Sequence, residues 1–287
     1  MSGFAPRRFA RTVFDRLESA LAASVLPPAP ALRVAAALGI SRALLSGKWP
    51  ATKEVATLFQ TGPGRSRRIA RGIAANEAKN RLVVRRVLGS ALAPFAPQVS
   101  FRDQAAIDRL RPPLVLVTAH VGALYLLAIA LDRFAVPRVV LRWAPVHELS
   151  PEESVAPTVG GLAMRTEALR RGHQALREGR FVVTAIEGPH GASEPGILLG
   201  RRMDFGRGAF ALARASGASV VPLAACWEGS RVIVEVGSPI APALAPQEVA
   251  RWFDELLGRL PRQCSLSLLR GLLYGSDRDP AVDAPGE

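Results

Sequence analysis

The run Leu114-Val-Leu-Val-Thr-Ala-His120-Val-Gly122-Ala-Leu-Tyr125 constrains the fold more than any other stretch of the chain. Leu114 to Thr118 carries no charge and is rich in β-branched residues, the pattern of a strand covered on both faces inside a parallel sheet. Apolar character continues to Leu131, long enough to cross a bilayer, but His120-Val-Gly122 interrupts it. A strand followed by a helix over 122–133 is the better reading. His120 then stands at a helix N-terminus, where the dipole disfavours the imidazolium and keeps the ring neutral. A neutral imidazole at the carboxyl end of a buried strand is placed to act as a general base.

From there strands and helices alternate. Strands are expected at 114–118, 138–142, 181–186, 219–225 and 231–236, and helices at 165–178, 207–216, 246–260 and 264–273. The first hundred residues read as helices over 5–26, 31–46, 52–60 and 65–89, punctuated by Pro27-Pro28-Ala-Pro30 and Thr61-Gly-Pro-Gly64. The fold class is therefore α/β: a mixed, mostly parallel sheet flanked by helices and preceded by an N-terminal helical segment. The expected organisation is helical to residue 105, an α/β core over 106–245, and C-terminal helices with a frayed tail over 246–287. Ligands of such sheets bind at the carboxyl ends of strands. His120, Arg142 and Glu187 all fall at expected strand ends, so Glu187 is expected within hydrogen-bond reach of His120.

Lys and Arg together number 37 against 24 Asp and Glu, a net charge of +13 that suits a polyanionic partner. Nucleic acid fits poorly, because the basic clusters are interleaved with aliphatics and only 6% of residues are aromatic. An anionic membrane surface fits better. In the first helix Phe9, Val13, Leu17 and Leu21 recur at a helical interval, with Arg7, Arg8, Arg11 and Arg16 elsewhere on the wheel. Phe4, Phe9, Val13 and Phe14 are expected to enter a lipid interface while the arginines meet lipid phosphates. Acidic residues break any export-signal pattern after Arg7-Arg8. Cys226 and Cys264 lie far apart without metal-ligand spacing and read as reduced, partly buried thiols. His147, His173 and His190 likewise lack ligand spacing and are expected at the surface. Gly206-Arg-Gly208-Ala-Phe-Ala211 has no apolar strand before it and is set aside as a dinucleotide fingerprint. No serine-hydrolase, phosphate-loop or zincin motif is present in the sequence.

Three further blocks follow His120: Gly160-Gly161-Leu-Ala-Met-Arg165 before a helix, Glu187-Gly188-Pro189 after a strand, and Phe205-Gly206-Arg207-Gly208 leading through a helix to Gly217 and Pro222. In order and spacing they resemble the glycerolipid and lipid A acyltransferase superfamily over roughly residues 106 to 240. The long helical segment before His120 resembles the lipid A branch. The first motif departs from that pattern: where the branch reads His-x-Gly-Asn-Trp-Glu, this chain has His120-Val121-Gly122-Ala123-Leu124-Tyr125. Tyr125 occupies the position of the acid that orients the histidine.

The resemblance implies direct transfer of a fatty acyl group from an acyl thioester, on coenzyme A or an acyl carrier protein, to a hydroxyl or amine of a membrane lipid or lipid-like acceptor. His120 is the implied base, with no cofactor and no metal. Glu187 either receives the acceptor hydroxyl or replaces the missing acid. Arg165 is the implied phosphate ligand, supported by Arg142 and Arg207, with Gly188 and Tyr125 beside the substrate. The implied location is peripheral, on the cytoplasmic face of a bacterial inner membrane. The alternative is a degenerate relative that binds lipid or acyl chains without turnover.

Overall fold

The computed structural model describes residues 5–45, 52–88, 98–131, 138–141, 154–155, 162–187 and 193–274. Four helices come first: α1 Ala5–Ala23, α2 Pro28–Leu45, α3 Thr52–Phe59 and α4 Pro63–Leu88. The core then runs β1 Val99–Phe101, α5 Gln104–Asp108, β2 Leu114–Thr118, a 3₁₀ turn at Leu124–Leu126, and α6 Leu127–Leu131. It continues through β3 Arg138–Leu141, β4 Ser154–Val155, α7 Leu162–Arg177, β5 Phe181–Ala185, β6 Ser193–Leu198, β7 Arg201–Gly206 and α8 Arg207–Ser216. Last come β8 Ser219–Glu228, β9 Arg231–Val236, α9 Ala245–Arg259, a 3₁₀ turn at Pro261–Gln263, and α10 Leu266–Tyr274.

Seven strands form one sheet in the order β1-β9-β8-β2-β5-β3-β4. Every neighbouring pair is parallel except β8 with β9. This is the α/β architecture expected from the alternation, with the N-terminal helical segment before it. All five residues of β2 are buried, as a central parallel strand requires. Their alternation divides the interior: Val115 and Val117 pack with Phe210, Phe253 and Leu256 on one face, whereas Leu114 and Leu116 pack with Leu32, Leu82 and Leu126 on the other.

Helix α4, about 39 Å long at 1.5 Å per residue, belongs to both layers. Ile69 and Ile73 sit in the first and Leu82 and Val83 in the second. Its middle therefore crosses the end of the sheet. Gly39 lets α2 lie close against it, since a Cβ there would stand 2.5 Å from the Ala74 carbonyl oxygen.

Several expectations are corrected. The helix expected over 122–133 does not start at Gly122; a 3₁₀ turn begins at Leu124, because Gly122 takes a left-handed φ of +61°. His120 is thus part of a loop rather than the first turn of a helix. Strand β1 lies inside the segment read as helical, and pairs with β9. The β6–β7 hairpin was not expected, because Glu194, Pro195, Arg201, Arg202 and Asp204 hide a one-faced strand pattern in which Leu198 and Phe205 are buried. The strand that precedes Gly206, β7, is antiparallel and polar rather than apolar, so the dinucleotide reading stays set aside. On α1 the inward face is Phe14, Glu18 and Leu21, while Val13 and Leu17 are exposed. Phe14 is therefore unavailable to a lipid interface. Both cysteines are fully rather than partly buried, and Cys226 is pushed up to about 12 by that burial. His173 is half-buried on α7 rather than at the surface. Among the described residues no helix is long and apolar enough to cross a membrane.

Candidate active site

Strand register brings the two candidate groups together. β2 and β5 are parallel neighbours with Thr118 opposite Ala185. His120 and Glu187 each follow that pair by two residues, so they leave the sheet side by side at its carboxyl edge. The Ile186 amide donates to the Thr118 carbonyl at 2.9 Å and carries the pairing one step beyond the strands. Glu187 Oε2 then meets His120 Nδ1 and also accepts the His120 backbone N–H at 2.5 Å. The Glu187 side chain is only 9% exposed, whereas the His120 side chain is 45% exposed. Glu187 Oε1 is buried and has no hydrogen-bond partner.

This pairing decides the histidine's chemistry. The hydrogen bond to Glu187 raises the His120 pKa above its ordinary 6.5; burial opposes it, and the charges of Glu187 and Glu77 add to it. The expectation that a helix dipole keeps the ring neutral is therefore overturned: a carboxylate dominates, and no helix begins there. With Glu187 ionised, Nδ1 carries the proton and donates it, leaving Nε2 as the basic nitrogen.

The loop beyond His120 is held on several sides. The Gly122 amide donates to the Gln263 carbonyl at 2.7 Å and the Ala123 amide to the Ala225 carbonyl at 2.6 Å. Asn80 Nδ2 donates to the Gly122 carbonyl at 2.7 Å, and Asn80 Oδ1 accepts Trp227 Nε1–H at 2.9 Å. Gln263 exchanges two hydrogen bonds with the Trp227 backbone, at 2.8 and 2.9 Å. Asn76 donates to the Arg262 carbonyl at 2.8 Å. Lys79, over the Trp227 ring and donating to the Gly229 carbonyl, is pulled down to about 8 by burial and by Arg262. A substituent on Gly122 would lie 2.2 Å from the Ala225 oxygen, so glycine is demanded by both φ and space.

A cleft of about 310 Å³ opens beside this loop. Its walls are Glu77, Asn80, Arg81 and Arg85 of α4, His120 and Gly122 on the β2 loop, and Ser265 and Ser267 at the start of α10. Glu77 Oε1 accepts the Leu266 N–H at 2.9 Å, and Ser265 Oγ accepts that of Leu268 at 3.0 Å.

The other expected residues fall elsewhere. Arg207 opens α8, is exposed, and faces the protein's own Glu194 at 3.8 Å rather than an external anion. Arg165 lies in the first turn of α7 and Tyr125 in the 3₁₀ turn after His120; their side chains are outside the described residues, as are Arg142, Gly188, His147 and His190. Sequence reasoning missed the α4 and α10 walls. The signal was present on α4: Ile69, Ile73, Asn76, Asn80 and Val83 form one helical stripe with two amides at core positions. Among the described residues no group of three His, Cys, Asp or Glu side chains could hold a metal. Neither a protein-family model nor a curated protein matches the chain.

Proposed function

We propose that the protein is an acyltransferase that moves a fatty acyl group from an acyl thioester to a hydroxyl or amine of a membrane lipid. The carrying observation is the carboxylate-held imidazole of His120 at the mouth of a cleft. Glu187 fixes the tautomer and stabilises the imidazolium, the role of the carboxylate in a serine-protease triad. His120 Nε2 takes the acceptor's proton as the acceptor oxygen or nitrogen attacks the thioester carbonyl. The tetrahedral intermediate collapses by breaking the carbon–sulfur bond, and the imidazolium returns the proton to the departing thiolate. Tyr125, at the family's acid position, favours the competing reading of a relative that binds lipid without turnover. Glu187 removes its premise, since the histidine has a carboxylate from another strand.

An anionic membrane surface is the proposed partner. Exposed Val13, Leu17, Val34, Leu44 and Leu45 concentrate on α1 and α2, with Arg16 and Arg33 exposed among them. The decisive experiment is a lipid profile of cells with and without the protein, joined to a transfer assay using acyl-coenzyme A and acyl carrier protein donors. A missing acylated lipid, restored by wild type and not by His120→Ala, supports transfer. Lipid binding with no acylated product from either donor supports the non-catalytic relative.

A further inference from the structure

We propose that Arg81 and Arg85 of α4 form a phosphate subsite within the cleft that His120 opens into. This deepens the acyltransferase reading and rests on it for its place in a reaction, but its binding test stands apart from turnover.

The two arginines are one turn apart on the same face of α4, where side chains four residues apart are neighbours. Both line the cleft that holds His120. Both keep more than a third of their side chains exposed, at 38% and 36%. They are fixed from behind by α1. Glu18, whose side chain is 6% exposed, takes Arg81 by Nη2 at 2.8 Å and Nε at 3.2 Å, and lies 3.8 Å from Arg85 Nη2. Ser19 Oγ accepts Arg85 Nη1 at 3.1 Å. Among the described residues, Nη1 of Arg81 and Nε of Arg85 have no partner.

Glu18 and Asp15 face three guanidinium groups, those of Arg42, Arg81 and Arg85. Glu77 also lines the cleft and accepts the Leu266 N–H at the start of α10. Guanidinium forks meet the oxygens of a phosphate in pairs, and the Ser265 and Ser267 hydroxyls, which also line the cleft and bond each other at 2.9 Å, leave one O–H as a neutral donor. A phosphate held here shares one cavity with the imidazole. It is either the headgroup of the acceptor or the phosphate of the donor's pantetheine arm.

The test is a titration with inorganic phosphate at constant ionic strength, following the His120 ring protons by NMR. Bound phosphate should saturate, shift these resonances and raise the His120 pKa further. Arg85→Met should weaken binding at least tenfold, and Arg85→Lys should weaken it less. Arg81→Met leaves Glu18 short of a partner, so the charge-balanced pair Arg81→Met with Glu18→Gln is measured beside it and should show the same loss. Arg109→Met, an exposed residue just past the end of α5, should bind as wild type does. A His120 signal that phosphate never moves, or that it moves equally in all variants, overturns the subsite. In the transfer assay a raised KM for a phosphorylated acceptor alone assigns the headgroup, and one for the donor alone assigns the pantetheine arm. If both KM values stay at wild type in Arg85→Met, the subsite is refuted. Phosphate binding lost in the variants of a protein that transfers nothing would keep the subsite and sink the acyltransferase reading.

Discussion

At the scale of single residues, His120 and Glu187 act as one group. Glu187→Gln keeps the shape but loses the charge that favours imidazolium, and should lower transfer by about 10²- to 10⁴-fold. His120→Ala should fall as far, and the double variant no further, because groups acting as a unit are not additive. Steady-state kinetics on the three variants checks this. The base must be neutral to work, so activity should rise with pH through a midpoint above 6.5, the direction in which Glu187 moves it. In Glu187→Gln that limb should move to lower pH even as the rate falls. The same shift couples to stability. A folded-state pKa above the unfolded one contributes stability that is fully present below 6.5 and is lost as pH rises through the folded value. Thermal melts of wild type and Glu187→Gln should therefore converge at alkaline pH. Tyr125→Glu should bring no gain in activity, since His120 Nδ1 already has its carboxylate; a marked gain would show that Glu187 does not serve.

At the scale of elements, α4 decides the site. Arg86 on its last turn is 4% exposed, and its guanidinium donates to the carbonyls of Leu21, Ser24 and Leu26 at 2.9 to 3.0 Å, closing the end of α1. Arg86→Met should destabilise by about 1–3 kcal/mol, since the buried Leu21 carbonyl loses its charged donor while the part-buried Ser24 and Leu26 carbonyls can turn to water. Asn80→Ala should cost about 1–3 kcal/mol on the same principle, and lower kcat as the Gly122 loop loosens. Denaturant melts beside turnover numbers separate the two effects. Most helices and the central strands were legible in the sequence because their periodicity is strong: β2, β9 and α8 lie where the pattern puts them. The β6–β7 hairpin was not legible, because only one face is covered and its outer residues are charged. The His120–Glu187 contact could be foreseen from two strand ends in one sheet. The α4 and α10 walls could not, because Asn76 finds Arg262 across 186 residues of sequence and no local pattern encodes that distance.

At the scale of the whole molecule, the proposed membrane partner draws on charge and exposed apolar surface together. Binding to anionic vesicles should exceed binding to neutral ones and weaken with salt, whose screening length is about 8 Å at physiological strength. Flotation with the Val13→Asp, Leu17→Asp double variant should show reduced binding with the fold intact, because both side chains point outward. Undiminished binding by that variant would remove α1 from the interface. The clamp around Gly122 has a consequence for how the molecule comes into being. Three of its parts, Asn80, Ala225 and Gln263, are distributed over most of the chain. A ribosome delivers them in that order, and contacts of such long sequence separation form late. The nascent protein carries His120 and Glu187 long before Gln263 arrives to set the loop. The loop that positions His120 is thus unset through most of the chain's own synthesis.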